Sequence, residues 1–381
     1  MRQYRRLALL APALTRSLAV LATVACEQSG TITGPRADDA PGPVQVRLPS
    51  LSYSAVDLGT LGGPFANARG INARGQVVGH SLTATGEEHA FLWTPATGMV
   101  DLGTLVAGRL SRAFAINNLG VAVGVAVNAA GERRAVLWTN AGEIRDLGAP
   151  EGFHSAALGI NDFGVVVGVA TSKVNADDSR ALRWLPDGTM RDLGKLGGSF
   201  NASLNGINFF GDVIASIDAG PHFSRGLLIR RDGTTVDIGN LGGTGPQDGT
   251  LGRAISNTGE VTGITTTAAG AVRAFHWSEE TGMRDIGALD PNSAFSDGSA
   301  INSLGMIVGS SAAPPFGAPH AFLWTKATGM RDLGTLGGPT SRASAINDLG
   351  QIVGTAEPPA TPRRSHAILW QPALRFELPG R

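Results

Sequence analysis

Arg331–Gly354 reads RDLGTLGGPTSRASAINDLGQIVG, and its parts recur in order through most of the chain. Asp-Leu-Gly or Asp-Ile-Gly begins at Asp57, Asp101, Asp146, Asp192, Asp237, Asp285 and Asp332, at spacings of 44 to 48 residues. Ile-Asn, once Ile-Ser, stands at Ile71, Ile116, Ile160, Ile207, Ile255, Ile301 and Ile346. A glycine and a short, mostly β-branched run follow each, as in Gln351-Ile-Val-Gly354. A third run, like Ala-Phe-Leu-Trp, ends at Trp93, Trp138, Trp184, Ile229, Trp277, Trp324 and Trp370, which uses all six tryptophans of the protein.

A period of this length with several short β runs per unit marks a β-propeller. Each unit offers four strands. Asn347-Asp-Leu-Gly350 fits a tight turn ending in a positive-φ glycine. One Asp-Leu-Gly strand opens the array at Asp57, six full sets of four follow, and three strands end it at Trp370, which makes 28 strands or seven blades of four. The expected fold is therefore all-β: a seven-bladed propeller over residues 51–372, closed by the N-terminal strand joining the last blade. Residues 373–381 are read as a tail or a competing closing strand through Leu374–Leu378. The first strand of each unit is small-sided, as in Ser341-Arg-Ala-Ser-Ala-Ile346, which suits strands converging on an axis. The tryptophans suit the wider space between blades, where an aromatic buries ~150–250 Å².

The units resemble the HAF repeats of bacterial extracellular repeat proteins, named for His-Ala-Phe as at His89–Phe91 and His320–Phe322. The likeness covers about residues 56–371. It implies an exported protein of the cell surface and no particular reaction.

The N-terminus agrees with export. Arg2, Arg5 and Arg6 precede two apolar runs, of which Ser17–Ala25 is too short to span a bilayer and suits a signal-peptide core. Thr23-Val-Ala-Cys26 resembles a bacterial lipobox, departing from it at Thr23, so Cys26 is the expected lipidation site and residues 1–26 the signal segment. As Cys26 is the sole cysteine, no intramolecular disulfide can form and packing must stabilise the fold. Residues 27–50 are polar, rich in Gly, Pro and Asp, and read as a flexible tether.

Lys+Arg and Asp+Glu both number 31, so the formal charge is zero, against a general nucleic-acid binder. The expected partners are a protein or glycan ligand and the membrane through a lipid anchor, with the chain a monomer. No Gly-x-Ser-x-Gly, HExxH or Walker-type Gly-Lys-Ser/Thr occurs, and Leu-Gly-Gly at 61–63, 196–198, 241–243 and 336–338 reads as crossover between blades. No catalytic or metal residue and no cofactor is assigned. Asn175, Asp177 and Asp178 in the loop Thr171–Ser179 are the lesser reading, a Ca²⁺ site.

The residue before Ala-Phe-Leu-Trp is basic in every unit: His89, Arg134, Arg180, Arg225, Arg273, His320 and His366. Across a hairpin it faces the Asp of Asp-Leu-Gly. This predicts structural pairs His89–Asp101, Arg134–Asp146, Arg180–Asp192, Arg273–Asp285 and His320–Asp332, with the same pattern in the other units; the competing reading is a ring of ligand sites. Function belongs where the repeat departs from itself. The crossover loops single out Phe153, His154 and Phe295, and the departures at 221–225 and 314–317 add His222 and Phe316, all as ligand contacts. The favoured function is a binding or scaffolding module at the envelope. A propeller enzyme acting on glycans at one channel mouth, and a purely structural envelope protein, are the alternatives.

Overall fold

Asp332 ends an outermost strand, Ser341 begins the next innermost one, and the turn at Asn347 folds the chain back, so the motif quoted first is the seam between two blades. The computed structural model describes residues 50–199, 201–220, 223–245, 248–315, 317–359 and 364–375; among them lie 28 strands in seven four-stranded antiparallel sheets. The signal segment, residues 27–49 of the expected tether, His222 and Phe316 lie outside the described residues, and Ser50, expected to end the tether, already begins the first strand.

The innermost strands of blades one to seven are Gly62–Ile71, Ser111–Ile116, Phe153–Ile160, Ala202–Ile207, Thr250–Ile255, Ser296–Ile301 and Ser341–Ile346. Each packs against the next, and the last against the first. The seventh blade is completed by Ser50–Gly59 lying beside His366–Arg375. Residues 373–375 do not compete for that place. They lengthen the third strand, with Leu374 opposite Leu51, because a ten-residue N-terminal strand needs backbone partners along its whole length. The ring closes with its own residues, and the chain from Pro49 onward is one self-contained unit.

Tryptophan fills the space between sheets. Trp138, Trp184 and Trp370 are fully buried. Trp184 Nε1 donates to Leu147 O of the preceding blade at 2.8 Å, and Trp370 Nε1 to Leu333 O at 3.0 Å. Trp184 and Trp370 thus join two blades by packing and by a hydrogen bond, whereas Trp138 joins them by packing alone, its buried Nε1 having no partner among the described residues.

Every innermost strand carries a β-bulge at the same place. The extra residue is Arg69, Phe114, Leu158, Asn205, Arg253, Ser299 and Ser344 in blades one to seven. A bulge leaves one residue unpaired and re-aims its side chain. It also brings the inner strand's backbone close to the second strand: a Cβ on Gly354 would stand 1.9 Å from Arg342 O. Six blades have glycine there, which accounts for the Val-Val-Gly motif; blade four has Ala215. The expectation that inner strands are small-sided because they converge on the axis needs correcting. The small residues Ala66, Ala68, Ala113 and Ala157 are buried in the cores between blades. The axial space is wide enough for arginine, leucine and phenylalanine.

Candidate functional site

Strand direction gives the ring two different ends. Innermost strands start at the crossover end, after Asp-Leu-Gly, and finish at the turn end, in Ile-Asn. All seven isoleucines of Ile-Asn and most residues of the turns after them line a cavity of about 260 Å³ at the turn end. Nearer the crossover end lies a second cavity of about 480 Å³, walled by all seven bulged residues together with Ser203, Ser216 and Leu251. The second cavity is in the size range of small-molecule sites.

Its wall is divided. Its charged lining residues are Arg69 of blade one and Arg253 of blade five, while Phe114, Leu158, Asn205 and Leu251 line it from blades two to five; Arg112, Asp297 and Arg342 stand on the same set of inner strands without lining it. Two of the arginines are committed. Arg112 binds Glu88 through two parallel bonds, Nε at 2.8 Å and Nη2 at 2.7 Å. Arg253 Nη2 lies 3.2 Å from Asp297 Oδ2. Among the described residues Arg342 has a hydroxyl partner only, Ser310 Oγ at 3.2 Å. Arg69 has no ion-pair or hydrogen-bond partner among the described residues and lies 5.8 Å from the Phe114 ring. The lining thus carries two arginines, one of them met by Asp297, a local positive excess within a chain of zero formal charge.

The Arg69 side chain is exposed to the axial cavity that it lines. Burial, and then the charges of Arg112 and Arg253, lower its pKa. Burial raises the Asp297 carboxyl above the usual range, against the opposing pull of Arg253 and Arg342. Beside Glu88, His80 is pushed down to about 4 by burial. At neutral pH its 3.3 Å approach to Glu88 is therefore the contact of a neutral imidazole, and the ion pair of Glu88 is with Arg112.

The basic–acidic pairs lie on the third and fourth strands, away from the channel. His89 Nδ1 is 2.6 Å from Asp101 Oδ2; His320–Asp332 and His366–Asp57 are at 2.7 Å. Arg180–Asp192 is at 3.1 Å, Arg273–Asp285 at 3.6 Å and Arg134–Asp146 at 3.8 Å, and Arg225 also meets Asp237. In every unit the other carboxylate oxygen caps the crossover glycine two residues on, as Asp332 Oδ1 does for Gly334 N at 2.7 Å. A serine or threonine at the start of the next inner strand continues the lock. Ser341 Oγ donates to Gly334 O at 2.6 Å and accepts from Ala321 N at 2.9 Å, and Ser111, Ser155 and Ser296 do likewise. Both oxygens of each Asp are thus occupied within the fold.

The loop residues singled out from sequence are not gathered. Phe153 is buried in the core, its ring 4.4 Å from the Arg180 guanidinium, because it is the first residue of an inner strand. His154 Nδ1 accepts from Arg133 N at 3.2 Å, which spends one ring nitrogen on the backbone. Phe295 is exposed just before the inner strand of blade six, and neither it nor His154 lines the large cavity. In the loop of blade three, Asn175 caps its own turn and Asp178 meets Lys195 at 3.1 Å. The bulged residues were the ones missed. Their signal was present two residues before each Ile-Asn, where Arg, Phe, Leu, Asn, Arg, Ser and Ser stand in otherwise similar units.

These features define a seven-bladed β-propeller with a walled cavity on its axis. No family model and no curated protein sequence matches the chain. Among solved structures it is similar to a streptogramin B lyase, at 11% identity and TM-score 0.56, covering 84% of this chain and 98% of that one. A virginiamycin B lyase from Staphylococcus aureus matches at 12% identity and TM-score 0.51, over 84% and 99% of the two chains. A puromycin hydrolase S511A mutant matches at 13% identity and TM-score 0.56, over 85% of this chain and 56% of that one. At these identities the likeness is one of fold.

Proposed function

We propose that the protein is an exported binding module of the cell envelope, held by an acyl group on Cys26, whose ligand is a small organic anion seated in the crossover-side cavity. The observation that carries this is Arg69, a guanidinium in the cavity lining with no hydrogen-bond or ion-pair partner among the described residues, in a lining whose other charged residue is Arg253. Guanidinium forks recognise carboxylate, sulfate and phosphate bidentately, and a low-dielectric wall strengthens that pairing. The opposite wall supplies Phe114, Leu158 and Leu251, and Ser203, Asn205, Ser216, Ser299 and Ser344 supply hydroxyl and amide groups. An acidic saccharide is the class that uses all three kinds of surface, and it falls within the protein or glycan ligand expected from the sequence.

The test is calorimetric titration of the purified propeller with glucuronate, galacturonate oligomers and inorganic phosphate. Uptake of an acidic sugar that Arg69→Gln weakens at least tenfold supports the reading. Failure of every anion to bind overturns it.

One observation favours a second reading, an enzyme on the same ligand class: Asp297 sits near the cavity with its carboxyl held above the usual range, as a proton donor requires. Turnover of an acidic glycan that Asp297→Asn abolishes while binding persists would establish it; binding without turnover excludes it.

A further inference from the structure

The turn end of the ring carries a feature that the cavity does not use. The third residue of each Asn-x-x-Gly turn is Arg74, Leu119, Phe163, Phe210, Thr258, Leu304 and Leu349 in blades one to seven. Five of these seven are large, apolar and exposed, with Leu304 at 68%, Leu349 at 64% and Phe163 at 62%. Phe209 adds a further exposed ring, 5.0 Å from Phe163 and 5.4 Å from Phe210. No packing within the ring requires these side chains. The turn is already specified by its Asn and its positive-φ glycine, and Arg74 and Thr258 occupy the place equally well.

We infer that this rim of Leu and Phe is a lipid-contact surface, on which the propeller rests with its turn end against a bilayer and its crossover end facing away. The first strand points to this occupant. Ser50–Gly59 runs toward the crossover end, so the chain before Ser50 joins the ring at the turn end. Tyr53 Oη, near the start of that strand, donates to Gly350 O in the turn of blade seven at 3.1 Å. Cys26 lies 24 residues before Ser50, and a polar coil of that length spans ~27 Å. An acyl group on Cys26 would hold this end, and not the other, within reach of the membrane. The arrangement of the rim agrees: apolar tips separated on different turns meet a plane that yields to each one, and Phe and Leu are side chains that interfacial surfaces bury at the headgroup–acyl boundary. The partner committed to is thus the bilayer interface, and the orientation leaves the arginine-walled cavity open to ligand.

The test needs no acyl group, so it stands apart from the lipidation of Cys26. Residues 49–381 are floated with phosphatidylcholine vesicles, with and without phosphatidylglycerol, beside the triple variant Phe163→Ser, Leu304→Ser, Leu349→Ser. The expected result is a vesicle-bound fraction on zwitterionic lipid that the triple variant lowers at least tenfold, with an unchanged melting temperature. No flotation of the parent, equal flotation of the variant, or flotation only on anionic lipid that salt abolishes would each overturn the inference. So would a parent dimer in sedimentation that the same substitutions dissolve, since the rim would then be a surface for a second copy of the chain.

Discussion

Asn347 Nδ2 donates to Asn72 O at 3.0 Å, joining the last blade to the first across 275 residues of chain. The same bond links each blade to the next: Asn72 to Asn117, Asn117 to Asn161, Asn161 to Asn208, Asn208 to Ser256 and Asn302 to Asn347, at 3.0 to 3.4 Å. The belt has one gap, because Ser256 has no amide to offer Asn302. Meanwhile the side-chain carbonyl caps its own turn, Asn347 Oδ1 accepting from Leu349 N at 3.1 Å and Gln351 N at 3.0 Å. One buried side chain therefore serves turn and ring at once.

This arrangement separates two costs. Asn347→Ala strands buried groups of both the turn and the neighbouring blade, and is expected to cost about 2–3 kcal/mol. Asn347→Ser keeps a cap, as Ser256 Oγ does for Glu260 N at 3.1 Å, and should cost about 1 kcal/mol. Ser256→Asn closes the gap and should stabilise by about 0.5–1 kcal/mol. Denaturant midpoints of the three variants check the order; a Ser256→Asn protein no more stable than the parent would remove the belt's energetic role.

The Asp of Asp-Leu-Gly and the serine after it are expected to differ in weight. Asp332→Asn keeps the cap on Gly334 and loses only the attraction to a half-exposed histidine, so the change should stay below about 1 kcal/mol. Ser341→Ala leaves the buried Ala321 N without its acceptor and should cost about 1–3 kcal/mol. Thermal unfolding of the two variants in parallel decides the ranking, and the reverse order would locate the lock in the ion pair.

Acid should loosen the first blade through His80. Folded, this imidazole takes a proton only near pH 4; unfolded, near its ordinary 6.5. Between those values the unfolded chain binds more protons, so stability is complete above pH 6.5 and falls as pH drops toward 4. A pKa difference of this size corresponds to up to about 3 kcal/mol. Urea unfolding of the parent and of His80→Gln from pH 7 to 4 tests this: the parent should lose more over that window than the variant, and parallel curves would show that other groups govern the acid response.

Arg69 should matter for ligand and not for folding. Its guanidinium has neighbours of like charge and no acceptor among the described residues, so Arg69→Gln removes repulsion and is expected to leave the melting temperature unchanged or higher. Arg112→Gln, in contrast, leaves Glu88 without its bidentate partner and should destabilise by about 1–3 kcal/mol. Differential scanning calorimetry of both without ligand separates a binding arginine from a structural one.

The repeat by itself determined the ring. Each unit contains the local information for four strands, Asn and glycine for the turns, Asp and glycine for the crossovers, and one strand too many at the start with one too few at the end. These are near-neighbour requirements, satisfied within some 45 residues, and a linear pattern can carry them. Only the tertiary structure decided what the ring encloses. Phe153 looked like a free loop aromatic and is core, while Arg69 looked like one polar residue in a small-sided strand and lines the cavity. A bulge reverses the alternation of side chains along a strand, and its position shows only once two strands are paired. Likewise the Asn belt joins residues a full unit apart in neighbouring blades, and the charge of the axial cavity is a sum over seven blades whose residues meet only when the ring closes.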